Sequence, residues 1–184
     1  QGRLPEALAA TTKALELDPT SPFMLQGAAQ RFYEARDYER AAGLARVAKR
    51  LDPLYPYTYF TLTLALVELE RYSEALDEAD RTAQLTGRSG AGEARRAYAW
   101  ARAGNAREAK LAADRARSAG NLDTLDRVLV ALAEDDAGAA VRTLAEAVAS
   151  RAPPSIWLTV NPIFDSLRER EDFRALDRKS TRLN

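Results

Sequence analysis

The chain has 184 residues, of which 46% are hydrophobic and 29% charged, a balance typical of a folded globular protein and not of a disordered one. Lysine plus arginine and aspartate plus glutamate number 27 each, so no net field attracts nucleic acid or an anionic membrane. The absence of cysteine and histidine excludes disulfides, thiol nucleophiles, zinc sites built from these residues and imidazole acid–base chemistry.

Apolar periodicity and capping residues predict a series of helices between residues 2 and 150. Ser21 and Asn105 have the side chains of helix N-caps, and Asp52-Pro53 ends a helix. The predicted ranges are 2–17, 22–35, 38–51, 56–70, 73–86, 90–103, 106–119, 121–134 and 137–150. The uncharged run that contains Leu54 to Val67 is too short to cross a bilayer, which takes about 20 apolar residues.

The first of these helices corresponds to the second helix of a pair whose first helix is missing. Its apolar stripe includes Leu4, Leu8 and Leu15, and a helical array does not leave such a face uncovered. We therefore expect the intact protein to extend upstream of Gln1.

Small residues recur along the helices at a step of 34 residues. Spacings of four and three place them on one face of each helix, where a partner helix can approach closely. Phe32, Leu66 and Trp100 follow the same step and supply the bulk that fills the contact. The small residues in register are Ala7, Ala41, Ala75 and Ala109; Thr11, Ala45, Ala79 and Ala113; and Ala14, Ala48, Thr82 and Ala116.

This pattern resembles the tetratricopeptide repeat (TPR), whose period, alanines, aromatic start of the second helix (Tyr38, Tyr72) and closing proline are all present. The resemblance implies an all-α, right-handed superhelical solenoid of antiparallel helix pairs. We assign residues 1–152 to the array, with the first repeat truncated and the fourth and fifth degenerate. Glu93 and Arg96 mark the fourth repeat, because the equivalent positions of earlier repeats are apolar.

Pro153-Pro154 breaks the helical run and is followed by a dense apolar set that includes Trp157. We predict a short capping segment over residues 153–176 that covers the exposed face of the last repeat. Its sequence resembles the end of TPR regions in bacterial signalling proteins, such as winged-helix regulators, nucleotide cyclases and protein kinases. The residues that carry this resemblance are Pro162, Phe164, Asp165, Leu167, Arg168, Asp172 and Phe173.

Residues 177–184 resemble the translation of a sequencing-adapter oligonucleotide. We expect this tail to be non-native and exclude its charged residues from function. Without it, 24 basic residues stand against 26 acidic ones, so no basic tail remains.

The polar clusters predict no chemistry. The carboxylates at 134–136 and at 169, 171 and 172 lie at turns or among arginines, where solvated charges or helix caps are expected. Gly87, Gly90 and Gly92 are interpreted as a linker, and the arginines at 95, 96 and 102 as a solvated helix face and not a phosphate or acidic-peptide site. We therefore predict no catalytic residue, metal site or cofactor, and no enzymatic activity.

The candidate site is the concave groove, which in the TPR family is lined by the first helix of each pair. The resemblance places Gln26, Gln30, Phe60, Leu64, Ala94 and Tyr98 where some members carry a carboxylate clamp of Lys, Asn and Arg, so that clamp is absent. The face is apolar and aromatic and suits a hydrophobic helix or an extended peptide, although Tyr57, Phe60 and Leu64 could instead pack inside the superhelix or under a missing repeat. The predicted groove residues are Phe23, Gln26, Gln30, Tyr33, Tyr57, Phe60, Leu64, Tyr98 and Arg102.

These observations predict a protein-interaction or regulatory scaffold whose partner is a protein or peptide, or an upstream domain of the same chain. The resemblance of the capping segment implies a bacterial signalling protein in the cytoplasm. Two alternatives stay open: the regulatory region of an enzyme, a cyclase or kinase, whose catalytic domain lies upstream, and a free-standing assembly scaffold. No contact with nucleic acid or membrane is expected from this segment.

Overall fold

The structure, a computed structural model, describes residues 4–150 and 158–183, and all regular structure in these ranges is helical. The predicted break at Pro153-Pro154 and the apolar Trp157 lie outside the described residues. The helices are α1 (Leu4–Leu17), α2 (Pro22–Glu34), α3 (Tyr38–Leu51), α4 (Pro56–Glu68), α5 (Tyr72–Thr86), α6 (Ser89–Arg102), α7 (Ala106–Ala119), α8 (Thr124–Ala133), α9 (Ala137–Ala149), a 3₁₀ helix (Pro162–Leu167) and α10 (Glu171–Leu183).

The helices form an all-α solenoid of antiparallel pairs, as predicted. Each helix from α1 to α9 packs against the next, and the first helices of successive pairs (α2, α4, α6 and α8) also contact one another. None of the described helices combines the length and apolarity needed to cross a membrane.

Side-chain caps define the helix starts. The Ser21 Oγ accepts a hydrogen bond from the Met24 N–H at 3.3 Å, and the Asn105 Oδ1 accepts one from the Glu108 N–H at 3.3 Å. α8 begins at Thr124 and not at the predicted residue 121. Gly120 and Asn121 have positive φ values of 69° and 53°, which no α-helix accommodates.

The small residues at the 34-residue step form the tightly packed interior of each pair. Ala41, Ala45 and Ala48 are completely buried, and so are their equivalents in α5 and α7, apart from Thr82 at 3%. In α1 the equivalent Ala7, Thr11 and Ala14 stay half-buried, because α1 packs chiefly against α2. The repeat pattern in the sequence is therefore a packing pattern.

Two glycines set the position of α6. A Cβ atom at Gly90 would lie 2.5 Å from the carbonyl oxygen of Gly120, and one at Gly92 would lie 2.6 Å from the Cβ of Ala83 in α5. The interpretation of Gly90 and Gly92 as linker residues is therefore wrong, since both lie in α6 at close helix contacts. Of the three glycines interpreted as a linker, Gly87 alone lies between helices, where it ends α5 in the left-handed conformation.

Replacing Gly92 with alanine is expected to destabilise the protein by about 1–2 kcal/mol, because overpacking costs more than the gain in helix propensity returns. The matched control is Gly43→Ala in α3, where nothing lies within 4 Å of the new Cβ and we expect stabilisation of about 0.5–1 kcal/mol. Urea unfolding followed by circular dichroism measures both. If both substitutions stabilised the protein, α5 and α6 would be able to move apart at Gly92 without a loss of folding free energy.

The charged residues of α6 replace apolar packing with ion pairs to the neighbouring helices. The Arg96 Nη1 lies 2.8 Å from Asp80 in α5, and Arg115 in α7 donates to Glu93 at 3.0 Å. The fourth repeat departs from the apolar pattern at Glu93 and Arg96, and these pairs join α6 to the helices on either side of it.

After α9, the described part of the chain resumes at Leu158 with a short apolar segment. We call residues 158–168 the strap; its apolar side chains Leu158, Ile163, Phe164 and Leu167 are all at most 2% exposed. α10 packs against α9. The capping segment over residues 153–176 stays a prediction, and its Asp165 pairs with Arg36, two residues after the end of α2.

α10 continues through residue 183 and so includes most of the tail that resembles an adapter translation. The Thr159 hydroxyl donates to Asp177 at 2.9 Å. The foreign origin of residues 177–184 stays a prediction from the sequence.

Candidate functional site

The predicted groove residues fall into two sets that differ in exposure. Phe23 and Tyr57, in the first turns of α2 and α4, are 68% and 63% exposed. With the half-buried Gln26 and Phe60 one turn further on, they form what we call the rim.

The second set, which we call the floor, lies in the middle and C-terminal turns of the same first helices and is closed. Tyr33, Leu64, Val67 and Tyr98 are between 0% and 5% exposed and belong to one apolar cluster with the buried strap residues. The floor is therefore not accessible from solvent.

A ladder of hydrogen bonds fixes the two glutamines of the groove. The Gln26 Nε2 donates to the Thr61 hydroxyl at 3.4 Å, and this hydroxyl donates to the Gln30 Oε1 at 3.1 Å. The Gln30 Nε2 in turn donates to Glu34 at 3.1 Å. Burial raises the pKa of Glu34, and the hydrogen bond from Gln30 and the charge of Arg31 oppose that rise. Gln26 and Gln30 therefore position α2 against α4.

The polar end of the floor is a hydrogen-bonded cluster around Arg102. Arg102 donates to both carboxylate oxygens of Glu68 at 2.8 and 3.1 Å and to the Tyr98 hydroxyl at 3.0 Å. Burial is the largest cause of the raised pKa of Tyr98 and also raises the pKa of Tyr33 well above its ordinary value. Both phenols therefore stay neutral at physiological pH. The Tyr98 hydroxyl is hydrogen-bonded, whereas the buried Tyr33 hydroxyl has no hydrogen-bond partner.

Phe60 connects the rim to a buried charge network. The guanidinium of Arg95 lies 4.6 Å from the centre of the Phe60 ring and donates to the Asp126 Oδ1 at 3.0 Å. Arg88 donates to the other oxygen of Asp126 at 2.6 Å, and Asp126 itself is completely buried in the capping box that starts α8. The interpretation of Arg95 as part of a solvated helix face is wrong, because it is 7% exposed.

The remaining arginines of the suspected patch are also paired, Arg96 with Asp80 and Arg102 with Glu68. In the parts of the chain that the structure describes, no three acidic side chains converge as a metal site requires. The side chains of the groove thus provide shape, apolar surface and hydrogen bonds.

Comparison with known proteins identifies the architecture. No family model and no curated protein matches the sequence significantly. Among solved structures, TTC0263, a thermophilic TPR protein of Thermus thermophilus, is 17% identical with a TM-score of 0.63, over 98% of this chain and 91% of that chain. A TPR protein of Parabacteroides merdae is 19% identical with a TM-score of 0.62, over 100% and 73% respectively. The chain has the tetratricopeptide-repeat fold.

A third TPR structure, YrrB, is 18% identical with a TM-score of 0.51, over 95% of this chain and 92% of that chain, and is described as having an unusual peptide-binding site. That the rim and floor are inward positions of the first helix of each repeat stays a prediction from the TPR resemblance. The positions of the carboxylate clamp are partly closed here, since Leu64, Ala94 and Tyr98 are at most 5% exposed.

Sequence reasoning missed two features of this groove. Asp123 and Asp126 have the spacing of a capping box, so the start of α8 could have been found, but nothing in the sequence pairs Asp126 with Arg88 and Arg95. The sequence predicts an apolar cap over residues 153–176, but no local signal indicates that its Asp165 pairs with Arg36.

Proposed function

We propose that this chain is a non-catalytic protein-interaction module whose concave face binds a polypeptide segment. The observation that carries the proposal is that two aromatic side chains of the predicted concave face, Phe23 and Tyr57, are 68% and 63% exposed at equivalent positions of successive repeats. A rigid curved scaffold with a preformed groove loses little conformational entropy when a segment binds. The peptide-binding site of YrrB, a protein with the same fold, supports this proposal.

The open rim is the proposed contact surface for the partner. Phe23 and Tyr57 lie one repeat apart, and both are more than 60% exposed. Leu17, Leu51 and Leu54, which lie at the adjoining helix ends, are also exposed, between 48% and 77%. Exposed aromatic and aliphatic side chains at a regular step suit an apolar helix or an extended peptide.

The wider setting that we propose is a bacterial signalling protein in the cytoplasm, of which this region is the C-terminal regulatory part. The proposal rests on the resemblance of the segment over residues 153–176 to the ends of TPR regions in such proteins. An upstream winged helix would make it a transcriptional regulator, whereas cyclase or kinase motifs would make it the regulatory region of an enzyme. Further repeats alone would make it a scaffold.

Selection of random peptides displayed on phage against the immobilised full chain tests the groove. Peptides that bind the rim should lose about tenfold or more in affinity on Tyr57→Ser, because exposed aromatic anchors dominate such contacts. Tyr57 is 63% exposed, so the substitution should leave helicity and the unfolding midpoint nearly unchanged.

Leu111→Ser is the matched control, since Leu111 is an exposed apolar residue (42%) of a second helix, α7, and lies outside the groove. Peptides that bind the Tyr57→Ser and Leu111→Ser variants as tightly as the original chain would refute the rim as the site. Failure to enrich any peptide would count against the whole proposal.

A further inference from the structure

The turns that follow α2, α4, α6 and α8 each contain one residue in the left-handed backbone conformation. These residues are Arg36 (φ 64°), Glu70 (58°), Gly104 (76°) and Asp135 (59°). In each turn the N–H of this residue and the next N–H donate to carbonyl oxygens near the end of the helix, so the four turns share one geometry. Glycine adopts this conformation without the steric cost that a Cβ atom brings.

Arg36 connects its turn to a distant part of the chain. Its guanidinium donates three hydrogen bonds to the Asp165 carboxylate, at 2.7, 2.9 and 3.1 Å, across 129 positions. A bidentate contact of this kind fixes both the distance and the orientation of the two groups. It joins the first complete repeat, α2 and α3, to the strap, whereas the side chain of Glu70 at the equivalent turn is exposed.

Each member of this ion pair also has a contact within its own segment. The Arg168 Nε donates to the Asp165 Oδ1 at 2.6 Å, inside the strap. Arg36 donates to the carbonyl oxygen of Glu34 at 3.3 Å, inside its own turn. Separation of Arg36 from Asp165 therefore strands neither charge, so the contact can break and re-form without the large cost of an unpaired buried charge.

Solvent reaches the ion pair but not the apolar side chain beside it. The side chains of Arg36 and Asp165 are 43% and 40% exposed, whereas Phe164 is completely buried. Salt screens exposed charges, and apolar packing carries no charge for it to screen. Ionic strength therefore acts on the contact between Arg36 and Asp165 and not on the burial of Phe164.

We propose that Arg36 and Asp165 form an electrostatic latch that holds the first complete repeat to the strap, and that the solenoid opens when salt screens the latch. Repeats of a solenoid contact only their neighbours, and its curvature is the sum of small rotations between them. A contact between the first complete repeat and the segment after the last one fixes this sum. α10 packs against α9, so the C-terminal segment stays with the last repeat when the latch opens.

Distance measurements between two spin labels test the latch. The chain has no cysteine, so Gly43→Cys in α3 and Ala145→Cys in α9 place one label towards each end of the array, at exposed positions. Raising the salt concentration from about 0.01 M to about 1 M shortens the Debye length from about 30 Å to about 3 Å. We expect the ratio of the short-distance to the long-distance population to fall about fivefold, the effect that a partly exposed ion pair has on an equilibrium.

Arg36→Gly removes the guanidinium and gives the turn its least strained residue. The labelled variant should show the long distance at low salt and lose the response to salt. Glu70→Gly is the matched control, because it makes the same backbone change one repeat later at an exposed side chain. It should keep the distances and the salt response of the original chain, and thermal unfolding checks that both variants fold.

A charge exchange should restore the latch. Arg36→Asp alone places two carboxylates opposite each other, so the long distance should dominate at low salt. Adding Asp165→Lys to this chain should bring back the short distance and its response to salt, because opposite charges again face each other.

A distance in the original chain that does not respond to salt would overturn the inference, as would equal distances in the Arg36→Gly and Glu70→Gly chains. Opening by salt that persists in Arg36→Gly would assign the response to other ion pairs and would also overturn it. The inference concerns the shape of the solenoid, and peptide selection on the rim tests the proposed function independently of it.

Discussion

Replacing Asp126 with alanine is expected to lower the free energy of unfolding by about 3–5 kcal/mol, since removing one partner of a buried ion pair strands the other charge. Asp126 is completely buried, and its carboxylate accepts from Arg88 and Arg95. Arg95 is itself 7% exposed, and the substitution would leave it without its carboxylate. The same change removes half of the capping box that starts α8.

Chemical denaturation of the full chain, followed by circular dichroism, measures this effect. The control is Asp80→Ala, which removes the carboxylate partner of Arg96 but at a side chain that is 53% exposed, so we expect a loss within about 1 kcal/mol. Similar losses for the two variants would mean that solvent reaches Arg95 and that the pair is not a buried one.

Two opposing effects act on the pKa values of the buried pair Asp126 and Arg95. Burial raises the pKa of Asp126, and the charges of Arg95 and Arg88 oppose this rise. Burial likewise lowers the pKa of Arg95, and Asp126 opposes that change. Neither group is stable in the interior without the other, which is why a single substitution at this site has a large effect.

The fold could be predicted from the sequence because its main contacts are local and repeated. Alanines at a fixed step, such as Ala41 and Ala75, report a close helix contact that recurs in each repeat, and the completely buried alanines confirm it. Capping side chains such as Ser21 and Asn105 likewise act within one turn, so the helix starts followed from the sequence.

The groove could be predicted only in part, because its exposure depends on contacts between distant segments. The positions of Tyr33 and Leu64 on the first helices follow from the repeat, but the near-complete burial of these side chains does not. The pairing of Arg36 with Asp165 spans 129 positions and leaves no periodic trace. The sequence predicts a surface position for Arg95, because nothing near it in the chain indicates that Asp126 of α8 is its partner.

The strap also changes the energetics of the solenoid. In an open array each repeat contacts only its neighbours, so stability is a sum of local terms and the ends unfold first. The contact between Arg36 and Asp165 joins the two ends, and the burial of Phe164 against the common cluster couples them further. Stability in the first complete repeat should therefore depend on residues after the last one.

Replacing Phe164 with alanine tests this coupling and is expected to lower the free energy of unfolding by about 3–5 kcal/mol, the usual cost of truncating a buried aromatic residue. Phe164 is completely buried, with its ring centre 6.1 Å from that of Phe173. Because Asp165, the next residue, pairs with Arg36 after α2, native-state hydrogen exchange should show loss of protection in α2 as well as in α10.

Leu144→Ala is the matched control, since Leu144 in α9 is also completely buried and its truncation costs about 2–5 kcal/mol. The helix of Leu144, α9, packs against α8 and α10, so truncation should reduce protection mainly in these three helices. Equal loss of protection in α2 from both variants would mean that the whole chain unfolds as one unit, whereas unchanged protection in α2 for Phe164→Ala would mean that the strap does not stabilise the first repeat. A selective loss in α2 for Phe164→Ala alone is the result expected of a solenoid closed by its own C-terminal segment.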